Sequence, residues 1–151
     1  MKRVLIIGCS GPKTKEENLP LALYTGGMYQ LINKNLPDVS EHFRVLIVSA
    51  FYGLIDVDNC SVLKPYESVL DSDKKVSEFI ESHSQAVSDI MASIPDGAEV
   101  SIILSKRYRD ALKGCLIAEG EVDASRFEFT HYQGIGYMRG ALKNTLLSGV
   151  V

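Results

Sequence analysis

The chain has 151 residues, the length of one domain with an ordinary hydrophobic core. Hydrophobic residues make up 46% and charged residues 23%, which excludes a chain that is disordered throughout. The net charge of -3 argues against a basic protein that coats duplex nucleic acid, because such binding depends on neutralising phosphates. The longest apolar runs are far shorter than the ~20 residues that span a bilayer, so we expect no membrane partner.

The three cysteines, Cys9, Cys60 and Cys115, form no CxxC pair. An odd number of cysteines fits reduced thiols, so we expect a cytoplasmic protein. The three histidines are scattered along the chain, which argues against a metal site. We expect no cofactor, and the sequence leaves the oligomeric state undefined.

Apolar runs alternate with helical patterns along the chain, which predicts βαβ crossovers. We therefore predict a single α/β domain over residues 1–151, with three layers and a mostly parallel central sheet. The predicted strands cover residues 3–8, 44–49, 99–104 and 127–131. The predicted helices cover residues 28–36, 73–94 and 106–118, with a last helix from about 135 through 147. Residues from about 51 to 70 are expected to be irregular.

The helix at 73–94 has the clearest amphipathic pattern. Asp71, Ser72 and Asp73 offer N-caps at its start. Apolar residues then recur at steps of three and four, which defines one buried face. The residues expected on that face are Val76, Phe79, Val87, Ile90 and Met91.

Ligands of such sheets bind outside the carboxyl ends of the strands. The first loop at that edge runs from Gly8 to Lys13, and its small residues leave backbone N–H groups free to hold an anion. Lys13 would add a positive charge, although a polar connection without a ligand is the alternative. Cys9 is a candidate nucleophile activated by a neighbouring cation, or else a small buried hydrophobic residue.

The second loop and the segment after it carry aromatic and acidic residues. Tyr52, with Phe51, is a candidate for stacking on a base, or for filling the core. Glu67 and Asp56 are candidates for general acid–base catalysis or for binding a ribose hydroxyl. For Asp56, a plain surface carboxylate is the favoured alternative.

Basic residues and glycines follow the last two predicted strands. Lys106, Arg107 and Arg109 oppose the helix macrodipole, which hints at an anionic partner, although plain solvation is the alternative. The turn Gly134-Ile135-Gly136, followed by Arg139, resembles a phosphate-binding hairpin. Because a strand is predicted before it, we interpret it as a strand-to-helix turn that can also hold an anion.

Several short motifs in order resemble the YaaA-like superfamily, which includes peroxide-stress protein YaaA and a domain of archaeosine synthase. The motifs are Cys9-x3-Lys13, Leu23-Tyr24-Thr25-Gly26, Ser49-Ala50-x-Tyr52-Gly53-Leu54, Pro65-Tyr66, Tyr108 and Gly134-x-Gly136. Lys13 is followed by Thr14-Lys15, where the archaeosine synthase domain has Pro-Tyr. The resemblance implies an α/β fold and a cytoplasmic role involving nucleotides or nucleic acid.

Together these features lead us to expect a small enzyme that acts on a nucleotide or a modified, deazaguanine-like nucleobase. Cys9 and Glu67 are the catalytic candidates. The alternatives are a non-catalytic accessory domain that binds nucleic acid, and a nucleotide sensor. We expect one cavity to be lined by Cys9, Ser10, Lys13, Tyr52, Gly53, Tyr66 and Gly134. The other ligand-binding candidates are Tyr24, Thr25, Ser49, Tyr108, Gly136 and Arg139.

Overall fold

A four-stranded sheet forms the centre of the protein in a computed structural model, which describes residues 2–148. The strands are β1 (Arg3–Gly8), β2 (Phe43–Ser49), β3 (Gly53–Asp56) and β4 (Val100–Ile103), in the spatial order β3-β2-β1-β4. β1 pairs in parallel with both β2 and β4, whereas β2 and β3 are antiparallel. The carboxyl ends of β1, β2 and β4 therefore share one edge of the sheet.

The four predicted helices are confirmed, with ends within two residues of those expected. The helices are α1 (Pro20–Leu23), α2 (Gly27–Asn35), α3 (Val39–His42), α4 (Asp73–Ala92), α5 (Lys106–Glu119) and α6 (Ile135–Ser148). Ser72 caps α4, since its hydroxyl accepts a hydrogen bond of 3.2 Å from the Lys75 amide. No helix within residues 2–148 combines the length and the apolar character needed to cross a membrane.

The predicted strand at 127–131 is wrong. Phe127 and Phe129 do pack against the core, which explains their alternating pattern. The segment nevertheless joins no sheet ladder, and the carbonyl group of Thr130 lies 3.5 Å from the Arg109 guanidinium. Packing of these alternate residues against the core therefore gives the segment the two-residue period of a strand without any strand pairing.

The segment predicted as irregular contains β3, a strand that the sequence analysis did not predict. A tight turn at 50–52 reverses the chain, and the Ser49 hydroxyl accepts hydrogen bonds from the amides of Phe51 and Tyr52. Gly53 follows with a φ of +85°, a conformation that favours glycine, and a Cβ atom there would crowd the His83 ring. Serine and glycine thereby close an antiparallel hairpin.

The two faces of the sheet carry separate hydrophobic clusters. Val4 and Ile6 of β1 pack with residues of α4 and α5, whereas Leu5 and Ile7 pack with residues of α2 and α6. Successive side chains of a strand point to opposite faces, so helices cover both sides. Of the five α4 residues expected to be buried, Phe79, Val87 and Met91 are buried, and Val76 and Ile90 pack half-buried against the same cluster.

We predict that Phe79→Ala destabilises the fold by about 3–5 kcal/mol, because it empties a position whose side chain is only 3% exposed. Urea unfolding measures this loss. Glu81→Ala, at an exposed position of the same helix, is the control and should change the free energy of unfolding by less than about 0.5 kcal/mol. A loss below about 1 kcal/mol for Phe79→Ala would show that this face of α4 is not the packed one.

The carboxylate of Asp56 is paired with an arginine side chain and is not a free surface group. Arg44 donates a hydrogen bond of 2.8 Å to Asp56 and another of 2.9 Å to the Ser93 hydroxyl at the end of α4. Burial raises the pKa of Asp56, but the hydrogen bonds from Arg44 and Asn59 outweigh it and leave the pKa below its usual value. Arg44 therefore connects the β2–β3 hairpin to the end of α4.

We predict that Asp56→Asn lowers the free energy of unfolding by about 1–3 kcal/mol at pH 7. A depressed pKa means that the ionised carboxylate stabilises the fold above its unfolded pKa, about 3.9, and that this stabilisation disappears as the pH falls through the lower folded value. The difference between wild type and variant should therefore shrink below pH 4. Asp89→Asn, an exposed position of α4, is the control; equal losses for both variants would contradict the ion-pair role.

Candidate functional site

A cavity of about 430 Å³ lies at the carboxyl end of β1, and we name it the Cys9 cavity. Gly8, Cys9 and Ser10 supply the residues from the end of β1 and the loop after it. The remaining lining comes mainly from the first turns of α2, α5 and α6 and from the segment before α6. The volume is in the range of sites that bind small molecules.

Three helix N-termini meet at the Cys9 cavity. Gly27 of α2, Lys106 of α5 and Ile135 of α6 all line it, and the first turn of each helix contains no acidic residue. The first intrahelical hydrogen bonds are donated by Tyr29, Arg109 and Met138, so the N–H groups before them have no partner within their helix. The positive ends of three macrodipoles therefore favour an anion here.

Arg139 adds a guanidinium group to the same cavity. It lies so close to Gly27 that a Cβ atom at that position would collide with it. Gly26 is equally constrained, because a Cβ atom there would lie 2.7 Å from the Cβ atom of Ser10, whose hydroxyl accepts a hydrogen bond of 3.2 Å from the Gly26 amide. The Gly26–Gly27 pair thus lets both the Ser10 loop and Arg139 approach the start of α2.

The basic residues at the start of α5 are already engaged. Lys106 pairs with Asp110 at 2.9 Å, and Arg107 pairs with Asp73 at 3.7 Å. Arg109 is buried, with its side chain bonded to the Thr130 carbonyl and to His131. Of the three, only Lys106 lines the Cys9 cavity, so the basic cluster does not form an open cationic surface.

Four tyrosines surround Cys9. The thiol and the Tyr108 hydroxyl are 3.7 Å apart, and the Tyr108 oxygen also accepts a hydrogen bond of 3.3 Å from the Leu70 amide. Burial first, and then Cys9, raise the pKa of Tyr108 and of Tyr66. Burial likewise raises the pKa of Tyr29, whose hydroxyl donates a 2.7 Å hydrogen bond to the Gly8 carbonyl. These phenols are protonated throughout the physiological pH range.

Tyr66 links this cluster to the turn after β2. Its hydroxyl lies 2.7 Å from the hydroxyl of Ser49 and 2.8 Å from that of Tyr24, and Ser49 is fully buried. Burial raises the pKa of Tyr24 to about 12. A continuous chain of hydroxyl groups therefore runs from the backbone of the turn to the surroundings of Cys9.

A second cavity of about 500 Å³ adjoins the same loop, and we name it the Lys13 cavity. Lys13, Tyr66 and Glu67 line it, together with Lys15. The Lys13 ammonium lies 4.3 Å from the centre of the Tyr66 ring and donates a 3.1 Å hydrogen bond to the Gly11 carbonyl. Lys13 thus faces the aromatic side of the loop, away from the group of helix N-termini.

The prediction of one shared cavity is wrong, because the candidate residues divide between neighbouring cavities. Among them, Cys9, Ser10, Tyr108, Gly134 and Arg139 line the Cys9 cavity, whereas Lys13, Tyr66 and Glu67 line the Lys13 cavity.

The other candidates line neither cavity. The Tyr52 hydroxyl is bonded to the backbone of Lys64, and Gly53 is buried at the hairpin. Thr25 and Gly136 are exposed, beside the starts of α2 and α6 respectively. Tyr24 and Ser49 belong to the chain of hydroxyl groups described above.

Several lining residues were not predicted. Tyr29 and Met28 of α2, Tyr132, and Met138 of α6 all line the Cys9 cavity. The Gly-Gly pair before Met28 was the available signal, because a helix that starts on two glycines has no side-chain cap and exposes its N–H groups.

The sheet is open, and the Cys9 cavity lies outside the carboxyl end of β1, which is where ligands of open α/β sheets bind. The chain matches the model of a family of unknown function, DUF6884, over residues 4–128, and it belongs to that family. No curated protein and no solved structure matches the chain. These comparisons show no link to the YaaA-like superfamily.

Proposed function

We propose that the protein is an enzyme that acts on a nucleotide or a modified nucleobase bound in the Cys9 cavity. The observation that carries this proposal is the convergence of three helix N-termini and Arg139 on a cavity that also contains a cysteine. A three-layer arrangement is part of the proposal, because helices on both faces of the sheet bring those N-termini to the edge where β1 ends.

The anionic part of the ligand would lie against the helix N-termini. Unpaired N–H groups and Arg139 together favour phosphate, which accepts several charge-assisted hydrogen bonds at once. No carboxylate lines the cavity among the described residues.

The planar part of the ligand has an apolar and aromatic wall available. Met28, Ile103, Tyr132 and Met138 line the Cys9 cavity and offer surface to a ring. The more specific assignment to a deazaguanine-like base comes only from the resemblance to the YaaA-like superfamily. The size and lining of the cavity are compatible with any nucleotide base.

Cys9 is the nucleophile of the proposed reaction. It lines the cavity next to the protonated hydroxyl of Tyr108, which can donate a hydrogen bond as charge develops. Glu67 lines the Lys13 cavity instead, so the two catalytic candidates do not share a reaction centre. The proposal therefore rests on Cys9.

A non-catalytic nucleic-acid-binding domain is a weaker alternative. It would require an open basic surface, but Lys106 and Arg107 are paired with aspartates and Arg109 is buried. A nucleotide sensor would use the same cavity without turnover. Product analysis after incubation with candidate nucleotides and bases, using wild type and Cys9→Ser, separates the sensor from the enzyme, since only the enzyme loses turnover in the variant.

We predict that Arg139→Ala weakens binding of a purine nucleoside monophosphate about tenfold and leaves binding of the matching nucleoside unchanged. A hydrogen bond to a charged group contributes roughly 1.5–3 kcal/mol, and Arg139 is exposed, so the lower end applies. Isothermal titration calorimetry with both ligands measures the difference. Lys143→Ala, which removes an exposed charge from the same helix outside the cavity, is the control.

Two outcomes would contradict this assignment. If Arg139→Ala and Lys143→Ala weaken nucleotide binding equally, the effect is general electrostatic attraction. If nucleotide and nucleoside lose the same affinity, Arg139 does not contact phosphate.

Gly27→Ala also tests the role of Arg139, because it disturbs the position of the guanidinium group without removing it. The added methyl group should displace the Arg139 guanidinium, and the nucleotide should bind about tenfold more weakly while the nucleoside binds as before. Alanine in the first turn of a helix does not oppose its formation, so thermal unfolding should change little. In the Arg139→Ala background the Gly27→Ala change should have no further effect on binding; an additive loss would mean that Gly27 acts independently of Arg139.

A further inference from the structure

We propose that the hydroxyl group of Tyr108 holds the thiolate of Cys9, in the place that a histidine occupies in many cysteine enzymes. The inference rests on the proposed function in one respect, namely that Cys9 reacts as a nucleophile. The proton of the thiol leaves to water, and the phenol proton turns towards the sulfur.

The hydrogen-bonding capacity of Tyr108 fits this role. Its oxygen can accept two hydrogen bonds and donate one. One acceptor position is taken by the Leu70 amide, at 3.3 Å, and the neutral Cys9 thiol at 3.7 Å can fill the other. When Cys9 ionises, the phenol proton becomes available to the sulfur without any change in the contact to Leu70.

Burial keeps this phenol in the donor state. Desolvation is the main cause that raises the pKa of Tyr108, and Cys9 raises it further. A group that stays protonated cannot act as a base, but it is a permanent hydrogen-bond donor to a neighbouring anion. Tyr108 therefore stabilises charge on Cys9 over the physiological pH range.

The histidines of the chain are occupied elsewhere. His42 is bonded to Asp38, and His131 is bonded to the buried Arg109. His83 packs against Phe79 and beneath Gly53, where burial lowers its pKa. No histidine within residues 2–148 bonds to Cys9, and the side chain that does bond to its sulfur is Tyr108.

The test measures alkylation of Cys9 by iodoacetamide as a function of pH, with the modified peptide quantified by mass spectrometry so that Cys60 and Cys115 do not interfere. In this reaction the sulfur forms a bond to carbon and iodide leaves. Because no nucleotide is present, the result does not depend on whether the proposed substrate is correct.

We predict that Tyr108→Phe changes how the rate of Cys9 alkylation depends on pH. Losing one donor to a charged group costs the thiolate about a factor of ten, so the profile should move to higher pH by about one unit. The less stabilised thiolate is intrinsically more nucleophilic, so the plateau at high pH should rise about threefold while rates at low pH fall about threefold. A variant in which Cys9 had only become more exposed would instead be alkylated faster at every pH.

Tyr52→Phe is the matched control. The Tyr52 hydroxyl donates to the Lys64 carbonyl and accepts from the Lys64 amide, and Tyr52 lines neither the Cys9 cavity nor the Lys13 cavity. This variant should lose stability in urea unfolding and keep the wild-type rate profile. The inference is overturned if Tyr108→Phe keeps the wild-type profile, or if Tyr52→Phe shifts it as much as Tyr108→Phe does.

Discussion

The 2.7 Å hydrogen bond from Tyr29 to the Gly8 carbonyl joins the first turn of α2 to the carboxyl end of β1. β1 is paired on both sides, and the next amide, that of Cys9, donates a 3.0 Å hydrogen bond to the Val48 carbonyl of β2. The loop that carries Cys9 therefore leaves the sheet from a fixed position. The start of α2 is fixed beside it, and the cavity between them depends on this contact.

Two different environments lie on either side of the loop that carries Cys9. On one side the positive ends of α2, α5 and α6 face the Cys9 cavity, and on the other the Lys13 ammonium lies over the Tyr66 ring. The ring of Tyr66 lines the Lys13 cavity, while its hydroxyl bonds to Ser49 at the end of β2 and to Tyr24. A ligand that moved this ring would therefore also disturb the turn that Ser49 closes.

The sequence predicted the helices and the parallel strands well, because continuous apolar runs and three-to-four periodicity reflect burial directly. It failed where the pattern does not record what an apolar residue packs against. Residues 127–131 alternate like a strand because Phe127 and Phe129 pack against the core, yet they join no sheet, and the β2–β3 hairpin depends on Ser49 closing its turn. The rule that ligands bind at strand carboxyl ends located the Cys9 loop, but the direction of Lys13 depends on packing that no local pattern records.

The match to the family of unknown function covers only part of the Cys9 cavity. Residues 4–128 include Cys9, Tyr108 and the starts of α2 and α5, whereas Gly134 and Arg139 follow the matched range. The thiol and its hydroxyl neighbour therefore belong to the part that the family model describes, and the guanidinium group that would bind phosphate comes from α6. The proposed anion site thus draws on both parts, because two of its three helix N-termini lie within the matched range, and Arg139→Ala removes only the contribution of α6.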